Sequence, residues 1–183
     1  MGNNTDLTRH EQLMAVLKDP HSILLVPTDD PIRPKCDQGW YVCYEFALGV
    51  TALPSYVRMR EFCKDESSVD QRFVGWLMKK NVLVEVEHQH ARDGDVVIYF
   101  GPRVSEGVCV GPTLPKHAGR IRLARIVSKW GRHYPLYDHA VEEVPELYGD
   151  ECRFFKGVSP ELVYCKFLEL YKPDPSKIPE SFQ

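Results

Sequence analysis

The sequence predicts an α+β domain, and three observations carry that reading. Helical spacing of apolar residues is confined to the N-terminal part of the chain, strand-like runs dominate from Val82 onward, and one strong helix start, Ser159-Pro160-Glu161, follows them. Helices gathered ahead of a run of antiparallel strands favour α+β over an alternating α/β layout. The chain has 183 residues, room for one ordinary domain. Its composition, 43% hydrophobic and 27% charged, is that of a globular domain and argues against wholesale disorder.

Taken in order, residues 8–18 have a weak helical pattern with Leu13, Val16 and Leu17 on one side, stopped by Asp19-Pro20. Ile23 to Val26 reads as a short strand, followed by a stiff polar loop carrying Pro27, Pro31 and Pro34. Trp40, Cys43 and Ala47 follow a helical step, as do Tyr44 and Leu48, so a short helix starts near Cys43 with Gly49 as its C-cap. The box Ser68-Val69-Asp70-Gln71 opens a further helix whose buried stripe is Val69, Phe73, Trp76 and Leu77.

Val82 to Val86 alternates weakly, and Asp93-Gly94-Asp95 introduces the apolar strand Val96 to Phe100. Residues 101–115, rich in glycine and proline, read as an insertion. His117 to Leu123 and Arg125 to Lys129 form two strands around a tight turn, and Cys152 to Lys156 another. Serine at N-cap and proline at N1 start a last helix that runs to about Lys172. The expected organisation is one domain over 1–172 and a loosely held tail over 173–183, where three prolines fall.

Charge and cysteine usage exclude several classes. With 23 Lys+Arg against 26 Asp+Glu the net charge is −3, which argues against nucleic-acid binding by a broad basic face. No apolar run approaches the roughly 20 residues of a membrane span. The opening residues Met1 to Asp6 lack the charged-then-apolar pattern of a secretory signal, so a cytoplasmic location is expected unless a dedicated system exports the protein. Six cysteines occur without a CxxC pair, which favours free thiols over a zinc site. His88-Gln89-His90 has strand-type ligand spacing but no third ligand, because Asp93 and Asp95 read as turn residues. No metal or other cofactor is expected. Arg120, Arg122, Arg125, Lys129 and Arg132 alternate along strands, either as a solvated face or as an attractor for an anionic substrate.

Cys43 is the residue with most chemical promise. A thiol in the first turn of a helix sits at the positive end of the macrodipole, where the thiolate is favoured. Nucleophilic catalysis also needs a base within hydrogen-bond reach and a group that orients it. Of the seven histidines His117 is the best candidate, because it opens a strand and is followed by the small pair Ala118-Gly119. The plain alternatives are a buried helix cysteine and a surface histidine.

The ordered set Gly39-x-x-x-Cys43-x-x-Phe46-Ala47, Gly94-Asp95-Val96-Val97 and His117-Ala118-Gly119-Arg120-Ile121 resembles the papain-like cysteine hydrolases of the CHAP and NlpC amidase/peptidase type. The likeness runs from about Gly39 to Trp130. It implies a cysteine helix packed on a small antiparallel sheet, and hydrolysis or transfer of amide bonds through an acyl-thioester, often on bacterial peptidoglycan peptides. It implies Cys43 as nucleophile and His117 as base. The family's third residue, an acid, amide or histidine on the next strand, is missing from Arg125 to Gly131. Ser128 is the expected stand-in, with His133, Asp138 or His139 as alternatives from the following segment. Tyr41 or Gln38 is the candidate second oxyanion donor, Tyr41 also being a substrate contact. Trp130, with Tyr134 and Tyr137, either walls a substrate groove beside His117 or packs a long loop on the sheet. Two functions follow: a cysteine-dependent amide hydrolase or a related acyl-transfer or deamidating enzyme, and an inactive relative that binds a peptide or protein.

Overall fold

The computed structural model describes residues 23–34, 41–63, 68–105, 108–132, 134–145 and 148–171. The helix expected over 8–18, the tail over 173–183 and the positions Cys36, Gln38, Trp40 and His133 lie outside them. Within the described residues the chain is a mixed α+β structure. It contains β1 (Leu24–Leu25), α1 (Cys43–Ala47), α2 (Tyr56–Phe62), α3 (Gln71–Lys79), β2 (Glu85–Val86), β3 (Val96–Ser105), β4 (Val108–Arg122), β5 (Arg125–Lys129), β6 (Leu136–His139), β7 (Glu151–Phe155) and α4 (Pro160–Tyr171). The strands form one antiparallel sheet in the order β1-β6-β5-β4-β3-β7-β2.

Side chains satisfy backbone groups at the N-terminal ends of α1, α3 and α4. Val42, the N-cap of α1, has no side-chain oxygen to accept from the first turn, and Glu45 makes only the reciprocal half of a capping box, accepting from the Val42 N–H at 2.9 Å. Gly49, at φ +73°, then takes the chain out of the helix in the left-handed region that favours glycine. α3 is capped by Asp70, whose carboxylate accepts from the Phe73 N–H at 2.8 Å, two residues later than the Ser68 start expected. Ser68 is committed elsewhere: its N–H and hydroxyl both donate to Glu45, at 2.9 and 2.8 Å. Ser159 does cap α4, accepting from the Leu162 N–H at 3.2 Å.

Asp95 opens β3 and joins three segments. It accepts from the N–H groups of Arg92 and Gly157 and from Lys156 Nζ at 2.9, 2.8 and 3.0 Å. Burial pushes its carboxyl up, but the Gly157, Lys156 and Arg92 donors outweigh burial and leave it below the usual carboxylate range.

Residues 101–115 are not an insertion. Residues 101–105 and 108–115 belong to the paired strands β3 and β4, with Gly101 facing Leu114 and Arg103 facing Gly111. Proline is tolerated here because the ladder is irregular, with register shifts on both sides of Gly101. β6, which holds the Tyr137 expected in a groove wall or a packed loop, pairs β5 through Ile126↔His139 and Ser128↔Tyr137.

Side chains alternate across the sheet and divide it between two cores. Val96, Ile98, Phe100, Ala118, Val127, Leu136 and Phe155 face the helices and meet Phe46, Ala47, Phe73, Leu77, Val163 and Phe167. Val97, Tyr99, Ile121, Ile126 and Phe154 face the other way. That second face is roofed by the segment after β6: Tyr99 donates to the Val141 carbonyl at 3.0 Å and Tyr148 to the Trp130 carbonyl at 2.8 Å. Gly149 crosses the sheet so closely that a Cβ would stand 2.4 Å from the Phe100 carbonyl oxygen.

The β4–β5 hairpin turns on Leu123 and Ala124, both left-handed at φ +51° and +59°. Two consecutive left-handed residues are the geometry of a type I′ turn, which favours Asn-Gly. Leu123 is 75% exposed, so little packing is lost on replacing it. The double substitution Leu123→Asn, Ala124→Gly is expected to stabilise the protein by about 1 kcal/mol. Denaturant unfolding of the two proteins checks this; an unchanged or lower midpoint would refute the turn assignment.

Candidate functional site

Cys43 is the first residue of α1, partly exposed, and packs against the helix-side core. α1 is held rigidly by Glu45. This carboxylate is 1% exposed and accepts from Val42 N–H, Tyr56 hydroxyl, Ser68 N–H and Ser68 hydroxyl, at 2.8 to 3.0 Å. Four donors meet the cost of burying that carboxylate and tie α1 to α2 and to the approach of α3. With five residues, α1 aligns few peptide dipoles behind the thiol.

His117 lies on the other side of the sheet. It is opposite Tyr99 on β3, and cross-strand partners share a face. Its ring centroid is 5.8 Å from that of Tyr99 in the second core and 4.4 Å from that of Tyr148, which clusters with Trp130 and Tyr137. Its neighbour Ala118 is the residue that β4 turns toward the helix side. The cause is a two-for-one step in the ladder: Tyr99 faces His117 while Phe100 faces Pro115, leaving Lys116 as the extra residue. His117 is 0% exposed, a core residue rather than a strand-mouth histidine. The expected pairing of Cys43 with His117 is thus split between two cores.

Ser128 also belongs to the second face, and its partner is His139. Ser128 Oγ is 2.7 Å from His139 Nε2 and accepts from the Trp130 indole N–H at 2.8 Å. His139 Nδ1 is 2.7 Å from the Ala140 carbonyl. A carbonyl only accepts, so Nδ1 carries the proton, Nε2 is bare, and the Ser128 hydroxyl donates to it. The arrangement has the polarity of an activated serine. Ser128, Trp130 and His139 are nevertheless all 0% exposed, so no substrate carbonyl can reach the hydroxyl in this conformation. It is a structural polar knot.

The expected substrate contacts fare similarly. Trp130 is a core residue against Tyr137, with centroids 4.7 Å apart, and cannot wall an open groove. Tyr41 is buried on the helix side, stacked on Phe46 at 6.3 Å with Lys129 Nζ 4.6 Å above its ring. Asp138, the other alternative for the third role, is engaged by Arg125. His88 and His90 lie in an exposed turn, His88 stacking on Phe154 at 4.4 Å. Among the described residues no group of three His, Cys, Asp or Glu side chains is placed to hold a metal ion. No helix among them is long and apolar enough to cross a membrane.

Sequence reasoning missed Glu45 as the organiser of the cysteine helix. The signal was present, since Glu45 stands three residues after the N-cap position, where a capping-box carboxylate belongs.

Burial pushes His139 down to about 4, against the opposing pull of the Ala140 carbonyl. The folded-state value lies below the unfolded value of about 6.5, so the unfolded chain takes up the proton first as the pH falls. This contribution to stability is intact above pH 6.5 and declines as the pH falls toward 4, where it has cost about 3 kcal/mol. The variant His139→Gln should lose correspondingly less stability than wild type between pH 7 and pH 4. Urea unfolding at the two pH values measures this, and equal losses in the two proteins would refute it.

Comparison of the chain with family models, with curated proteins and with solved structures finds no match.

Proposed function

We propose that this chain is a non-catalytic binding domain of papain-like arrangement, with a peptide or protein segment as its ligand. In this reading the cysteine helix lies on an antiparallel sheet while the family's histidine serves the opposite core. The supporting observation is the side of the sheet His117 occupies. A general base must come within about 3 Å of the thiol whose proton it takes. His117 instead packs its ring on Tyr148 and shares a face with Tyr99. Ser128, the expected orienting group, is committed to His139 and Trp130.

A second reading is the cysteine hydrolase implied by the resemblance, with Cys43 attacking an amide carbonyl and His117 taking the thiol proton. Transfer and deamidation would use the same two groups. The observation that favours it is Cys43 itself, partly exposed at the first position of α1. It requires β4 to present His117 to the helix side.

Alkylation of each cysteine by iodoacetamide between pH 4 and 9, read by peptide mass spectrometry, separates the two. The binding reading predicts that Cys43 behaves as an ordinary thiol with a pKa of about 8.5 and that His117→Ala leaves its rate unchanged. Fast alkylation of Cys43 well below that pH, lost in His117→Ala, would overturn the binding reading in favour of the hydrolase.

A further inference from the structure

The helix-side face of β4 and β5 carries several cations, and all but one have a partner among the described residues. Arg122 Nη1 is 2.7 Å from Asp30 Oδ2, Arg125 engages Asp138, and Lys129 Nζ donates to the Tyr134 carbonyl at 2.5 Å. Arg120 is the exception. It is partly buried between Val96 on β3 and Val127 on β5, its cross-strand neighbours. Among the described residues its buried Nε has no hydrogen-bond partner, and no carboxylate lies within ion-pair distance. Burial alone pushes the guanidinium down from its ordinary value, with no charge opposing it.

The surroundings of Arg120 fix its place. A Cβ built on Gly49 would stand 3.5 Å from Arg120 Nη1, 3.8 Å from its Cζ and 3.1 Å from Pro160 Cγ. The guanidinium therefore lies in the corner between the turn that ends α1 and the first residue of α4. Gly49 is doubly required there, by its left-handed φ of +73° and by this approach. A charge drawn partly out of water without a counter-ion is costly, and such a group is normally paired. The guanidinium's planar fork matches the two oxygens of a carboxylate or phosphate.

We propose that Arg120 is the anchor of an oxyanion-binding site in the corner formed by Gly49 and Pro160, taking the phosphate or carboxylate group of a ligand. The site lies at the Gly49 end of α1, away from the thiol of Cys43 at its start. This deepens the binding reading and rests on it only for the oxyanion being part of a larger ligand. The site itself is tested with simple ions, so its failure and that of the binding reading are distinguishable.

Thermal unfolding at constant ionic strength, with sodium chloride exchanged for sodium phosphate or sodium acetate, is the experiment. Wild type and the control Arg72→Met, which changes an exposed arginine, should gain roughly 5 °C as the responsive anion saturates. Arg120→Met should show no gain. A response to phosphate alone assigns a phosphate-bearing ligand, and a response to acetate alone a carboxylate. Absence of any gain in wild type with either anion would overturn the proposal, as would a gain retained in Arg120→Met. Should Arg120→Met not fold, the Nε–Hε resonance of Arg120 in the wild-type protein decides. A saturable shift with either anion supports the site, and an unmoved resonance refutes it.

Discussion

The phase of β4 governs both what the sheet buries and what it offers. One extra residue, Lys116, stands between the pairs Tyr99↔His117 and Phe100↔Pro115. Because side chains alternate along a strand, that single step decides which residues face the helices. Ala118 and Arg120 do so, and His117, Gly119 and Ile121 face the aromatic core. Gly119 shows how tightly this phase is held: a Cβ there would lie 2.5 Å from Ile126 Cγ2 and 2.9 Å from the Val127 carbonyl oxygen. A shift of β4 by one residue would drive Arg120 and a fresh set of side chains into space closed to them.

Two buried polar clusters then stabilise the two sides. On the helix side Glu45 gathers four donors and holds the short helices in place. On the aromatic side Ser128, His139, Trp130 and the Ala140 carbonyl satisfy one another in sequence. Each cluster is costly in isolation and stabilising when complete, which fixes a particular packing rather than merely adding strength. Arg120 breaks that pattern, a partly buried guanidinium whose buried Nε has no partner among the described residues.

Much of the fold was legible in the sequence because its signals were local. Val96 to Phe100 is an unbroken apolar run, Ser159-Pro160 carries its own capping chemistry, and Gly49 marks the end of the helix begun at Cys43. What was not legible depended on contacts distant in sequence. Ser68 reads as a helix cap until Glu45, 23 residues earlier, is seen to take its hydroxyl and N–H. Residues 101–115 read as an insertion because proline and glycine weaken the strand signal, yet pairing across an irregular ladder makes 101–105 and 108–115 parts of two strands. The site was the least legible part. Cys43 was found at its helix start, but the face on which His117 stands depends on a bulge that no spacing rule announces.

The separation of Cys43 from His117 is the claim on which the functional account turns. Treatment of the intact protein with 1,3-dibromoacetone tests it directly, because this three-carbon reagent bridges a thiol and an imidazole only when they are neighbours. The account predicts that Cys43 is modified without a bridge to His117 in the digested peptides. A Cys43–His117 cross-linked peptide, formed in wild type and absent in Cys43→Ala, would contradict it.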